Sequence, residues 1–260
     1  MKSLICVLGT SGTGKGTRVR QLLEFLKIKF KYRVVKSEEL GLRKVIKKTK
    51  GQRKQDFDSE PVVGKDVGIL FYSSVGTIFI VGTFVISNKS KLESWNSIDY
   101  IHSICGKVEL GWEFVKNAID NFGNVVIEGY PLMNTFRYRP KYLMENVGVD
   151  SLMYQFYCYN DINEYYNRIL QRSGKLPKGL SAWKDNEQFC ERLYGRVVKE
   201  ASSVDIPVVV FRDSYDVSVE SLGKRMLEFW GLSHLISEFE LYSEEVKWLR
   251  SVDSVEYGGQ

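Results

Sequence analysis

The chain has 260 residues, 43% hydrophobic and 13% aromatic, enough for a full core and one domain. Its net charge of +5 and pI near 8.8 permit a polyanionic partner without requiring one. Four cysteines without paired spacing (Cys6, Cys105, Cys158 and Cys190) exclude a disulfide framework and a zinc site. The longest apolar run, 75–86, falls short of the ~20 residues of a spanning helix, and the chain opens on a core strand rather than a signal peptide, so a cytoplasmic protein with no membrane partner is expected.

Leu4-Ile5-Cys6-Val7-Leu8 has the length and apolar continuity of a buried parallel strand, and Val19, Leu22, Leu23 and Leu26 recur at helical spacing. Between them stands Gly9-Thr10-Ser11-Gly12-Thr13-Gly14-Lys15-Gly16-Thr17. A glycine-rich turn between strand and helix lets main-chain N–H groups reach phosphate oxygens, and the helix start adds unpaired donors and partial positive charge. The residues assigned to nucleotide binding are Gly9, Ser11, Gly12, Thr13, Gly14, Lys15, Gly16, Thr17 and Arg18. Lys15 brings a full charge to the β- and γ-phosphates. Gly16 stands where the usual motif has the Ser or Thr that holds Mg²⁺, and Thr17 follows one place later.

Tyr32 to Lys36 reads as a second strand, and Ser37 is placed to cap a helix carrying Leu40, Leu42, Val45 and Ile46. Glu38 and Glu39 serve either as favourable charge in that helix's first turn or as functional carboxylates at a strand's C-terminal end. The run from Arg43 to Lys54 is strongly basic, a solvated surface or a contact for a nucleic-acid backbone. Residues 67–105 break the β–α alternation and read as a small antiparallel insertion, in which Trp95 either stacks on a ligand or packs internally. His102 receives no role.

Helix 108–121 follows, then the strand Asn124 to Glu128 running into Gly129-Tyr130-Pro131; an acid there can orient the hydration shell of Mg²⁺. A helix is expected over 131–146, interrupted by Pro140, then a strand over 151–159 and a helix over 162–171 bearing Arg168 and Arg172. A Gly/Pro-containing basic segment, 173–185, leads to a helix with Arg192 and Arg196. Such a pair of helices suits a lid over triphosphate charge, or an ordinary solvated surface. A fifth strand (206–211) and helices over 217–230 and 235–249 complete the chain, with a frayed end.

These elements in this order resemble the adenylate kinase-like P-loop nucleotide kinases. The turn GTSGTGKGT, the segment Ser37 to Arg43, the strand end Glu128-Gly129-Tyr130-Pro131, and Arg168, Arg172 and Arg192 with Asp185-Asn186-Glu187 carry the likeness. It implies an α/β fold with a five-stranded parallel sheet flanked by helices. The kinase core spans 1–48 and 106–232, with a lid about 173–185, an acceptor-side insertion at 49–105 and a C-terminal helix and tail at 233–260. It implies ATP and Mg²⁺, with Thr17 and Glu128 near the metal and Arg43 and Tyr130 on the acceptor; Trp95, in the insertion that family lacks, is an acceptor candidate on the modified-base reading below.

Three features depart from that family: Leu132 replaces an arginine that contacts the acceptor monophosphate, Lys184 replaces a lid arginine, and 43–105 holds extra material. A hydroxyl acceptor does not need the missing arginine but profits from a general base, for which Glu38 and Glu39 stand where polynucleotide and deoxynucleoside kinases carry an acid. The string VGTFVISNKSKLESWNSIDYI also resembles phage kinases that phosphorylate 5-hydroxymethyluracil in DNA, which implies a modified base in DNA as acceptor and a host cytoplasm as location. A free (deoxy)nucleoside monophosphate is the alternative acceptor. A nucleotide-dependent binding protein without transfer is the third reading.

Overall fold

The computed structural model of the chain describes residues 1–10, 13–46, 58–86, 93–129, 136–159, 161–173 and 180–256. At its centre is strand β1 (Ser3–Gly9), buried along its whole length. Alternation splits its side chains between two cores: Leu4, Cys6 and Leu8 face one side of the sheet, Ile5 and Val7 the other. A strand covered on both faces needs apolar residues at every position, which is why this one reads as a continuous run.

Helix α1 (Lys15–Lys29) follows, then β2 (Lys31–Lys36). The helix expected after β2 is absent. One 3-10 turn (Ser37–Leu40) ends at Gly41, whose φ of 61° is left-handed, and the chain turns into β3 (Arg43–Val45), paired antiparallel with β4 (Ser59–Pro61). Then come β5 (Asp66–Ser73), β6 (Gly76–Val81), β7 (Thr83–Ile86) and β8 (Glu93–Asn96). Helix α2 (Ile98–Cys105), which falls within the stretch expected to be an antiparallel insertion, leads to α3 (Val108–Phe122) and β9 (Asn124–Glu128). Pro140 begins α4 (Pro140–Val147) rather than interrupting a longer helix, since a proline at the first helical position costs no hydrogen bond. The remaining elements are β10 (Ser151–Cys158), α5 (Ile162–Ser173), α6 (Leu180–Ala201), β11 (Val208–Ser214), α7 (Glu220–Phe229) and α8 (Ile236–Glu256).

The main sheet has seven strands in the order β11-β10-β1-β9-β6-β5-β2. Only β5 runs against its neighbours; the other six share one direction. The expected five-stranded sheet is thus corrected. The β5–β6 hairpin enters the sheet itself, between β9 and β2, because its buried stripe (Leu70, Phe79, Val81) joins the central core. This pushes β2 to the edge, three inter-strand spacings or roughly 14 Å from β9. The β7–β8 hairpin stays outside and lies over α1. One face of the sheet is covered by α2, α3, α4 and α6, the other by α1, α7 and α8. None of the described helices is long and apolar enough to cross a membrane.

Candidate functional site

The C-terminal ends of β1 and β9 meet the start of α1. Gly9 has φ 146°, and a Cβ there would stand 2.5 Å from the Tyr157 carbonyl oxygen, so the turn leaves β1 against β10 only if this residue is glycine. Gly14 is left-handed at φ 78°. Thr13 Oγ1 donates to the Thr10 carbonyl at 2.9 Å, and Lys15 Nζ donates to the carbonyls of Gly9 and Thr10, both at 2.9 Å. The ammonium is buried and lies 3.9 Å from Glu128 Oε1 at the end of β9. Ser11 and Gly12 lie outside the described residues.

Arg18 does not face this turn's centre. Its guanidinium donates to the carbonyls of Thr13 (2.8 Å), Tyr215 (2.8 Å) and Val217 (2.5 Å), and stacks 4.4 Å over the Tyr157 ring. It ties the glycine-rich turn, where a nucleotide contact is expected from sequence, to the loop between β11 and α7. A buried guanidinium that donates to three carbonyls holds main chain in place.

The glycine at position 16 has a structural cause. A Cβ there would come 3.1 Å from the Trp95 carbonyl oxygen and 3.9 Å from Glu128 Oε2. A Ser or Thr side chain at this position would therefore crowd the main chain of β8 by a few tenths of an ångström. Thr17, one position further round the helix, is exposed. Beyond Trp95 the chain follows the rim of the turn. Ser97 Oγ donates to the Val81 carbonyl at 2.6 Å and accepts the Glu128 N–H at 3.1 Å, pinning the start of α2 between β6 and β9. Two residues on, the exposed Asp99 sets its carboxylate against the Cα of Gly129; a Cβ on Gly129 would lie 3.2 Å from Asp99 Oδ1. Ser97 and Asp99 were missed from the sequence. The signal was there, a serine followed at two residues by an acid before an apolar helical face.

On the other flank, Glu187 of α6 accepts the Tyr159 N–H at 3.1 Å and lies beside the Thr10 hydroxyl. Burial raises its pKa. Arg192 is exposed on the same helix, its guanidinium 6.0 Å from the Phe189 ring centre. Arg168 and Arg172 fall on α5, but their side chains, like Tyr130 and most of the expected lid, lie outside the described residues.

The acceptor side differs most from expectation. Glu38 and Glu39 sit past the end of β2, with β5 and β6 between them and β9. Glu38 accepts the Gly64 N–H at 2.9 Å, which lowers its pKa, and Glu39 accepts the Lys36 N–H at 2.8 Å and pairs with Arg33 at 2.7 Å. Arg43 is held by Ser59, through its hydroxyl at 2.9 Å and its carbonyl at 2.5 Å. Trp95 packs edge-on against Phe84, and its ring fills the space over Gly82. At 6% exposure it offers no face for stacking on a base. None of these four is brought to the turn as the acceptor group expected, although the Trp95 main chain borders it.

A family model described as 5-hmdU DNA kinase 2 matches residues 1–219, which takes in every described strand and ends before α7. The 5-hmdU DNA kinase 2 of Salmonella phage ViI is 36% identical over 189 residues, 73% of this chain and 54% of that protein. The chain spans about half the length of this curated relative. With the phage-kinase likeness of its 81–101 segment, the glycine-rich turn and a match over most of its length, the chain belongs to the 5-hmdU DNA kinase 2 family.

Proposed function

We propose that this chain is a P-loop kinase that moves the γ-phosphoryl group of ATP to the 5-hydroxymethyl group of 5-hydroxymethyldeoxyuridine in DNA. The observation that carries the reading is the Lys15 ammonium, held by two turn carbonyls at the ends of β1 and β9 opposite Glu128. A triphosphate laid along the turn would meet main-chain N–H groups, the start of α1 and this charge together. Arg192, with Arg168 and Arg172, would add cations from the α5–α6 side. Transfer then rests on positioning and charge neutralisation.

The triphosphate would carry Mg²⁺, a hard cation for which Glu128, beside the first turn of α1, would supply a carboxylate and Thr17 a hydroxyl. Neutralising phosphate charge is what the ion supplies there. A base inside a duplex is out of reach of this rim, so the target nucleotide would be flipped out of the stack.

Labelled ATP offered to duplex DNA containing 5-hydroxymethyldeoxyuridine, and separately to free deoxynucleoside monophosphates, tests the acceptor. Label is expected in the DNA. Label in the free nucleotides alone would replace the proposal with the monophosphate reading. Lys15→Ala should cut transfer by at least about 100-fold. Because Lys15 is buried, the variant also strands two carbonyls and Glu128, so circular dichroism must accompany the assay. Wild-type turnover in a folded Lys15→Ala protein would refute the site.

A further inference from the structure

The acceptor hydroxyl of a base needs a group to take its proton, and the sequence offers Glu38 and Glu39 for that task. The sheet order moves both away: the β5–β6 hairpin stands between β2 and β9. What borders the end of β9 instead is the segment from Trp95 to Asp99. It touches the turn and β9 at three successive points. The Trp95 carbonyl lies over Gly16, the Ser97 hydroxyl accepts the Glu128 N–H, and the Asp99 carboxylate rests on Gly129. Ser97 also bonds to Val81, so the start of α2 is fixed to two strands of the sheet. Asp99 is thus an exposed carboxylate on a rigid mount, set against the residue that follows the acid facing Lys15.

We propose that Asp99 is the general base of the transfer, a role that rests on the DNA kinase reading above. The proton of the 5-hydroxymethyl O–H passes to an Asp99 oxygen as the hydroxyl oxygen bonds to the γ-phosphorus. The bond from that phosphorus to its bridging oxygen breaks, its electron pair leaves on the β-phosphate of ADP, and Asp99 later gives the proton to water. General-base assistance of this kind contributes roughly 10²–10⁴-fold to rate. The insertion therefore rebuilds the acceptor side, trading an acid after β2 for one at the start of α2.

The test compares wild type, Asp99→Asn and Asp99→Glu on 5-hydroxymethyldeoxyuridine DNA, with ATP binding measured by calorimetry on each. Wild type must first label the DNA; if it does not, the kinase reading fails and not this assignment alone. Asp99→Asn keeps the side chain's size and is expected to lower kcat by about 100-fold or more, with ATP affinity and the KM for DNA within about threefold of wild type. Asp99→Glu should recover part of the loss. A kcat within threefold of wild type in Asp99→Asn would overturn the proposal. So would a defect confined to the KM for DNA, or one accompanied by lost ATP binding. Should Glu38→Gln or Glu39→Gln be the change that removes kcat, the base lies there and the assignment to Asp99 falls.

Discussion

Glu187 shows how one carboxylate can be costly in place. It bonds the Tyr159 N–H and adjoins Thr10 of the glycine-rich turn, yet burial raises its pKa. A raised value means that the folded chain binds this proton more tightly than the unfolded one. The resulting stability is present below the ordinary carboxylate pKa and lost as pH rises through the raised value. Glu187→Gln keeps the shape and removes the titration. Its unfolding midpoint should exceed wild type by about 2 °C at pH 7 and match it near pH 4. A difference of equal size at both pH values, followed by circular dichroism, would mean that charge is not the cause. The same variant removes a negative charge beside the turn, so ATP affinity should rise rather than fall.

At the scale of elements, the β7–β8 hairpin explains a residue that looked like a defect. Gly16 departs from the usual motif because β8 closes over it, with the Trp95 carbonyl 3.1 Å from where a Cβ would stand. Gly16→Ser restores the usual residue type and should still destabilise, by roughly 1–3 kcal/mol as over-packing does, read as a lower thermal midpoint. A neutral or stabilising result would show that β8 can yield. Elements with strong periodicity were legible in the sequence: β1, α1, α3, β9 and β10 fall close to where their patterns put them. The turn and its lysine were legible for the same reason, since strand, glycines and helix lie in one local stretch. Less legible was anything decided by partners far along the chain. Leu40, Leu42, Val45 and Ile46 fit a helical stripe, but Gly41 in the left-handed region and the pairing with β4 make that stretch a turn and a strand. Residues 67–105 were read as antiparallel, but the pairing of β5 with β6 was not, and its seat between β9 and β2 depends on which sheet edge buries it, which local pattern does not encode. That seat moved the acceptor-side acids, which is why Asp99 emerges only from the fold.

For the molecule as a whole, the charge of +5 is unevenly available. Around the edge strand β2 three cations are matched locally: Arg33 with Glu39 at 2.7 Å, Lys36 with Asp66 at 2.5 Å and Lys44 with Glu60 at 3.0 Å. Exposed pairs of this kind add little stability, but they occupy charge that a phosphate backbone could otherwise use. The basic run continues through Lys47, Lys48, Lys50, Arg53 and Lys54, which lie outside the described residues and have few acids near them in sequence. DNA binding should therefore draw on that run more than on the edge strand. Every phosphate that the protein ceases to neutralise makes the slope of log K against log salt shallower by about 0.9. Replacing Lys47, Lys48 and Lys50 by glutamine should make that slope shallower by about 2–3, with weaker binding across all sequences. Replacing Lys36 and Lys44 by glutamine should change it by less than about 1, because each is already paired with a carboxylate. Fluorescence anisotropy across a salt series measures both, and equal slopes in the two variants would show that net charge, and not this segment, holds the DNA.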